Sequence, residues 1–201
     1  MDAYRIHVKL DAELADGFNA ESLIPVFHRW IQADALDDEV LIDVADYRHV
    51  PTGPGVMLIA HHANYALDFD GGRPGVLYAR KRPPEEPAPF ADRLRDALRR
   101  AVVAAQALGV EPALRGGVRV TGGAFTLRLV DRLAAPNTES TYAAIEPILR
   151  GLAADLFDGA GLRIERETNP RAPFALRVEA ARAPGVEALL ERLENAAVLV
   201  S

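Results

Sequence analysis

Apolar and polar residues alternate along several short segments of this chain. Near its beginning Ile6, Val8 and Leu10 alternate with polar neighbours, which is the period of a strand that buries one face. Other segments carry apolar residues at the spacing of an amphipathic helix. The segments typical of strands are residues 4–10, 39–47, 55–60, 117–121, 125–133, 161–167, 174–180 and 197–200, and those typical of helices are residues 21–32, 89–108, 142–157 and 186–196.

A short motif occurs twice, each time before a helical segment. Residues 19–22 read NAES and residues 137–140 read NTES, and a proline follows inside each helix, at Pro25 and Pro147. Asparagine or threonine before a helix favours an N-cap, because its side-chain oxygen accepts a hydrogen bond from a free first-turn N–H. A proline at these places starts, bends or shortens the helix. The repeated motif predicts an internal duplication.

The order of the elements extends this duplication to the whole chain. Strand, helix, strand, strand, helix and strand follow one another twice, which is the βαββαβ order of a ferredoxin-like fold. The predicted fold class is therefore α+β, with tandem duplicated ferredoxin-like halves and mainly antiparallel sheets that form either an α+β barrel or one long sheet. Residues 1–121 form the first half, residues 122–201 the second, and a hairpin at about residues 62–82 is inserted into the first half.

The alternation also predicts what each face of the sheet carries. Helices must cover the apolar set, which in the second strand includes Val40, Ile42 and Val44. The opposite, open face then carries a small polar group at its first two strands. Its members are His7, Asp43 and Tyr47. In the second half the corresponding face carries a ladder of charged residues, Arg128, Arg163, Glu165, Arg177 and Glu179. Charged cross-strand pairs of this kind commonly stabilise an exposed or interface sheet.

Two adjacent histidines, His61 and His62, follow the third strand of the first half. In an extended strand their side chains point to opposite faces, so they cannot both bind one metal ion. A bulge at this point would change which face each one reaches. We expect one imidazole near His7 and Asp43 on the open face, and the other under a helix or the hairpin.

These polar residues define a catalytic hypothesis. A carboxylate that orients an imidazole raises its basicity, as in many acid–base sites. The candidate catalytic residues are His7, Asp43, Tyr47, His61 and His62. The alternative is a solvated sheet face with a few polar residues. The sequence leaves metal binding open and identifies no cofactor, since it contains no Gly-rich phosphate loop, nucleophile elbow or zinc-binding helix motif.

The amino-acid composition limits the classes of partner that we expect for this protein. The net charge of −6 argues against a general nucleic-acid-binding protein. The absence of cysteine excludes disulfides and thiolate metal sites. The first residues show no pattern of a secretion signal, and no apolar stretch approaches the roughly 20 residues of a membrane span. We therefore expect a cytoplasmic protein that binds neither nucleic acid nor membrane.

Two functions remain open at this point. The first is a binding or assembly protein that associates with itself or another protein through its open sheet face and the inserted hairpin. An isolated hairpin is only marginally stable, so its apolar residues must pack on the core or on another subunit. They are Tyr65, Leu67, Phe69, Val76, Leu77 and Tyr78. The second is a small-molecule enzyme of the dimeric α+β barrel type, with the His/Asp/Tyr group as an acid–base or metal site.

Overall fold

Eight strands pair into one sheet in the computed structural model, which describes residues 2–36, 39–50, 53–159 and 161–198. The strands are β1 (Ile6–Leu14), β2 (Leu41–Asp46), β3 (Val56–Ala60), β4 (Ala63–Asp68), β5 (Gly75–Arg80), β6 (Val118–Leu129), β7 (Leu162–Arg166) and β8 (Phe174–Ala180). The α-helices are α1 (Leu23–Ala33), α2 (Phe90–Gly109), α3 (Glu139–Leu156) and α4 (Val186–Val198).

The strand order is β2-β3-β4-β5-β1-β6-β8-β7, and neighbouring strands are antiparallel throughout. The predicted α+β class and antiparallel sheet are confirmed. Of the two predicted arrangements the chain forms one long open sheet, and the barrel arrangement is wrong. Because β2 and β7 stand at the two ends of this order, they are the edge strands of the sheet in the described part of the chain.

All four helices lie on one face of the sheet. On β1, Ile6, Val8 and Leu10 are fully buried, whereas the intervening His7 and Lys9 are only partly buried. The longest helix, α2, crosses β1 and β5, while α1 covers β2 and β3, α3 covers β7 and β8, and α4 reaches β6. The other face, which we call the open face, is therefore left without a covering layer in the described part of the chain.

The helix starts follow the predicted capping signals. Asn19 Oδ1 accepts a hydrogen bond from Glu21 N–H at 3.0 Å, in a short 3-10 turn that leads into α1. Thr138 is the N-cap of α3, and its hydroxyl accepts from Thr141 N–H at 3.4 Å. Pro147 lies inside α3 without ending it. None of the helices in the described ranges combines the length and apolar character needed to cross a lipid bilayer.

The longest strand, β6, takes the place of two strands that the sequence predicts. The sequence predicts one strand at residues 117–121 and a separate one from residue 125, but the structure joins them into Val118–Leu129. Gly122, with φ at +71°, lets the strand change direction without ending. The register with β1 shifts at the same level, between Leu10 and Ala12. A β-bulge thus replaces the expected break.

The edge strand β2 corrects the predicted set of buried residues. Leu41 is buried, whereas Val40 and Ile42 are 65% and 53% exposed. The pairing with β3 shifts by one residue between Leu41 and Asp43. Because of this bulge, the side chains before Asp43 point to the opposite faces from those that regular alternation predicts. The prediction that helices cover Val40 and Ile42 is therefore wrong.

The inserted segment forms part of the sheet. β4 and β5 pair as a hairpin within residues 62–82, and the hairpin lies between β3 and β1. Its apolar residues on the helix side are Tyr65, Leu67, Val76 and Tyr78, all buried. Leu77 points to the open face, and Phe69 is 38% exposed in the following loop. The hairpin therefore packs mainly on the core of its own chain.

The predicted closing strand of the second half falls at the end of the chain. α4 continues to Val198, into the segment where the sequence predicts a strand at residues 197–200. That strand prediction is wrong for residues 197 and 198, and residues 199–201 lie outside the described residues.

Gly75 provides a test of how the open face is assembled. A Cβ at Gly75 would lie 2.6 Å from Leu10 O and 2.8 Å from the Lys9 side chain. We expect Gly75→Ala to lower the free energy of unfolding by about 2 kcal/mol, the usual cost of overpacking. Urea denaturation measures the change.

Gly109→Ala is the matched control, because a Cβ at the end of α2 meets no other described atom within 4 Å. Alanine favours helix, so this variant should be as stable as the parent or slightly more so. Equal stability of the two variants would contradict the steric role of Gly75.

Candidate functional site

The open face is divided into an apolar half and a charged half. On β2 to β5 the residues of this face are mostly apolar: Ala45, Met57, Ile59, Ala66, Leu77 and Ala79. We call these six residues the apolar patch. On β1, β6, β8 and β7 the same face carries His7, Lys9, Asp11, Thr126, Arg128, Arg177, Glu179 and Glu165. The boundary between the halves runs between β5 and β1.

An ion pair crosses this boundary. Lys9 Nζ lies 2.8 Å from Asp68 Oδ2, and the two side chains are only 11% and 7% exposed. Lys9 is on β1 and Asp68 on β4, so the lysine must pass over β5. Gly75 of β5 lies beneath the lysine stem and leaves room for it. The ion pair depends on a glycine at this point because any larger residue would meet the lysine.

A second ion pair links β1 to β8. Arg177 donates two hydrogen bonds to Asp11, at 3.0 Å from Nη1 to Oδ1 and 2.6 Å from Nη2 to Oδ2. This paired geometry is the strongest arrangement for a guanidinium and a carboxylate. It spans β6, which lies between the two strands. These pairs compensate most of the charge at the centre of the face.

A cavity of about 280 Å³ opens on the charged half. Its floor is formed by side chains of β5, β1, β6 and β8, and its walls by residues 68–73 and the end of β7. Its basic residues are Lys9, Arg73, Arg128, Arg166 and Arg177, and its acidic residues are Asp11, Asp68, Asp70, Glu165 and Glu167. His7, Thr126, Leu77, Ala175 and Gly71 complete the lining. Five basic and five acidic groups leave the cavity with balanced charge, although the whole chain is acidic.

His7 lies on the floor of the cavity, opposite Arg128 of β6. Burial, together with the neighbouring Arg128 and Arg5 guanidinium groups, lowers the pKa of His7 to about 4, against the opposing effect of Asp68. The imidazole is therefore neutral at pH 7 and is a weak base. It can serve as a hydrogen-bond donor or acceptor to a bound molecule.

The predicted partners of His7 lie elsewhere. Asp43 shares its cross-strand row, through Ala79, Asn64 and Ile59. Three strands separate the two residues, and at the usual strand spacing this is about 19 Å. The expected close group of His7 and Asp43 is therefore not formed, although both belong to the open face.

Tyr47 follows the end of β2 at the sheet edge. Its N–H donates to Gly55 O at 2.8 Å, and its ring stacks on His49 with the centroids 6.4 Å apart. The side chain is 40% exposed. No described contact joins Tyr47 to the cavity, so its catalytic role stays an untested prediction.

The two histidines form the link between β3 and β4. Their rings are nearly perpendicular, with centroids 4.6 Å apart, and both residues are half-buried. His61 Nε2 lies 3.0 Å from Arg82 Nη1. Because a guanidinium only donates, His61 Nε2 accepts this bond. His62 Nδ1 lies 3.4 Å from Glu39 and its Nε2 lies 3.7 Å from Glu85. The pair thus contacts charged groups at the end of the sheet, away from His7.

Glu39 contacts the histidine pair, and the sequence did not predict this contact. Its side chain is fully buried, and Oε1 accepts a hydrogen bond from His62 N–H at 2.8 Å. Oε2 lies 3.8 Å from Arg100 of α2. Burial also raises the pKa of nearby Tyr78 to about 12. These contacts fasten the β3–β4 link to α2, which favours a structural role for the histidine pair.

The structure also assigns new members to the site. Lys9, Asp11, Asp68 and Asp70 line the cavity together with His7, and no sequence motif joins these residues. Strand parity placed Lys9 beside His7, but its partner Asp68 is distant in sequence. The charge ladder of the second half had already marked Arg128 and Arg177. No group of three or more metal-ligating side chains occurs among the described residues.

Comparison with protein-family models, with curated proteins and with solved structures gives no significant match for this chain.

The pKa of His7 predicts a pH-dependent stability. In the unfolded chain an imidazole binds a proton near pH 6.5, whereas His7 in the folded protein does so only near pH 4. Below pH 6.5 the unfolded state therefore binds more protons, and the free energy of unfolding falls as the pH falls towards 4. We expect the contribution of His7 between pH 7 and pH 5 to be on the order of 2 kcal/mol.

His7→Gln should remove this part of the pH dependence. Urea denaturation of the parent and the variant at both pH values measures it, as the difference between their losses of stability. His28→Gln is the control, because His28 is exposed on α1 and its replacement should leave the pH dependence of the parent unchanged. Parallel pH curves for the parent and His7→Gln would show that His7 is not kept neutral by the fold.

Proposed function

We propose that this chain is a binding or assembly protein whose working surface is the open face of its sheet. The partner is a second copy of the chain, and the two copies place their apolar patches against each other. The observation that carries the proposal is the position of this patch. Met57, Ile59 and Leu77 are only partly buried, on the face that no described helix covers. Exposed contiguous apolar surface commonly marks an interaction site.

The charges of the open face support a second copy as the partner. Two identical acidic proteins repel each other, and this chain carries a net charge of −6. Around the cavity, however, basic and acidic residues balance, and the largely buried pairs Lys9–Asp68 and Arg177–Asp11 are satisfied within one chain. Two open faces therefore approach each other without the electrostatic repulsion that the acidic remainder of the surface causes.

The inserted hairpin takes part as a component of the sheet. It contributes Ala66, Leu77 and Ala79 to the apolar patch, which is half of its members. Its larger apolar side chains are already buried on the helix side of the sheet. The hairpin therefore extends the interface without forming a separate docking arm.

A charge placed in the apolar patch tests the association. We expect Ile59→Lys to weaken self-association at least ten-fold, because a lysine ammonium without a partner is costly to bury. Sedimentation velocity over a series of protein concentrations gives the dissociation constant. Circular dichroism and thermal unfolding confirm that the variant is folded.

Leu133→Lys is the matched control, since Leu133 is 97% exposed and lies outside the patch. This variant should associate like the parent. A parent protein that stays monomeric at all concentrations, or an Ile59→Lys variant that associates as strongly as the parent, would refute the proposal.

The enzyme hypothesis is kept as the second candidate because His7 lines a cavity of about 280 Å³. If the protein is an enzyme, its site consists of His7 and the charged residues around it. The catalytic roles predicted for Asp43, Tyr47, His61 and His62 remain untested. A neutral imidazole with a pKa of about 4 is a poor general base at pH 7. Binding through the apolar patch needs no such base and stays the first candidate.

We also propose that the chain contains an internal duplication and acts in the cytoplasm, as the sequence patterns predict. The order β1-α1-β2-β3 recurs as β6-α3-β7-β8, and the repeated motif with its following proline supports a common origin. The absence of cysteine, which leaves no disulfide to form, is consistent with a cytoplasmic location.

A further inference from the structure

The loop between β4 and β5, residues 69–74, forms one wall of the cavity. Lys9 Nζ donates to Asp70 O at 2.9 Å, and Arg128 Nη2 donates to Asp70 Oδ2 at 3.0 Å. Lys9 belongs to β1 and Arg128 to β6, so the loop leans over the open face beyond its own strands. It thereby places the Asp70 carboxylate among basic groups of the cavity.

The ion pair of Asp70 differs from the two largely buried ion pairs at the centre of the face. Arg128 and Asp70 are 40% and 41% exposed, whereas Lys9 and Asp68 are almost completely buried. An exposed ion pair contributes little to stability, because water screens it and two side chains must be ordered. Another anion can therefore replace Asp70 at a lower cost than Asp68 or Asp11.

The surroundings of Arg128 are suited to a carboxylate. Its guanidinium presents parallel N–H groups, which match the two oxygens of a carboxylate. The Thr126 hydroxyl, on the same face of β6, is a further donor in the cavity lining. Arg73 also lines the cavity and forms no ion pair within the described part of the chain. Leu77 and Ala175 provide an apolar surface next to these donors.

The acidic residues of the cavity limit the charge of the ligand. Asp11, Asp68, Glu165 and Glu167 remain in the lining when Asp70 is displaced. They oppose a second negative charge, since like charges a few ångströms apart repel strongly in a partly buried site. A single negative charge, equal to that of Asp70, keeps the cavity balanced.

We infer that this cavity binds a small organic acid with one carboxylate, which takes the place of Asp70 on Arg128 while its apolar part lies on Leu77 and Ala175. Asp70 then acts as an internal competitor of the ligand. The inference does not depend on self-association, because only Leu77 belongs to both the cavity and the apolar patch. Ile59→Lys therefore tests association without altering the cavity lining.

Isothermal titration calorimetry tests the ligand class. The sodium salts of acetate, propionate and benzoate are titrated into the full chain at constant ionic strength, with acetamide, propionamide and benzamide as neutral analogues. We expect the carboxylates to bind, benzoate most tightly because it has the largest apolar part, and the amides to bind at least ten-fold more weakly. Inorganic phosphate should bind more weakly than benzoate.

Two variants test the place of the ligand. Asp70→Asn should bind benzoate about two- to five-fold more tightly, the factor expected when an exposed ion pair no longer competes. Arg128→Gln should weaken binding at least ten-fold, because a charge-assisted pair is lost. Asp46→Asn and Arg150→Gln change the net charge equally on β2 and α3, away from the cavity, and should leave the affinity unchanged.

Several outcomes would overturn the inference. They are equal affinity for carboxylates and amides, tighter binding of phosphate than of benzoate, unchanged affinity in Arg128→Gln, and no measurable binding to the parent and to Asp70→Asn. If Arg128→Gln does not fold, amide chemical shifts of the parent decide the location. Benzoate must then shift the signals of Gly71, Thr126 and Arg128, and shifts confined to other residues would contradict the assignment.

Discussion

The central position of β1 is the constraint on which the rest of the structure depends. β1 pairs with β5 on one side and β6 on the other, so it joins the two parts of the sheet. Ile6, Val8 and Leu10 bury one of its faces completely under the helices. The strict alternation of the strand then places His7 and Lys9 on the opposite face. A shift of one residue would exchange these sets and place charges in the core.

The polar face of β1 explains the pattern of charges on its neighbours. A lysine in the middle of a sheet needs a carboxylate nearby, and the adjacent β5 contributes a glycine where the lysine crosses it. Asp68 of β4 and Arg177 of β8 then complete pairs that run perpendicular to the strands. Each pair joins strands that are not direct neighbours. The open face is therefore held together by side chains as well as by backbone hydrogen bonds.

Local sequence patterns predicted most helices and strands correctly. They did not predict the relations between residues that are far apart in sequence. The alternation in β1 and the capping residues Asn19 and Thr138 depend on near neighbours in sequence, and the structure agrees with them. The buried set of β2 was predicted wrongly, because its bulge at Leu41–Asp43 contains no glycine or proline that would mark it in the sequence.

The candidate site shows the same limit. His7 was placed on the correct face, but the separation of His7 from Asp43 follows from the strand order, which the insertion of β4 and β5 determines. Likewise, Lys9 and Asp68 are far apart in sequence and meet only because Gly75 lies between them. A single sequence contains no signal for a contact between two such distant residues.

The bulge in β2 has a further consequence for the behaviour of the protein in concentrated solution. An open sheet ends in unpaired backbone groups that can recruit strands of other molecules, and this leads to fibres or aggregates. Here one edge is interrupted by the bulge at Leu41–Asp43, and the other, β7, carries the charged side chains of Arg163 and Glu165. Both features hinder the addition of strands at the ends of the sheet. Growth by edge pairing is therefore disfavoured, whereas the association that we propose through the open face would stop once two faces have met.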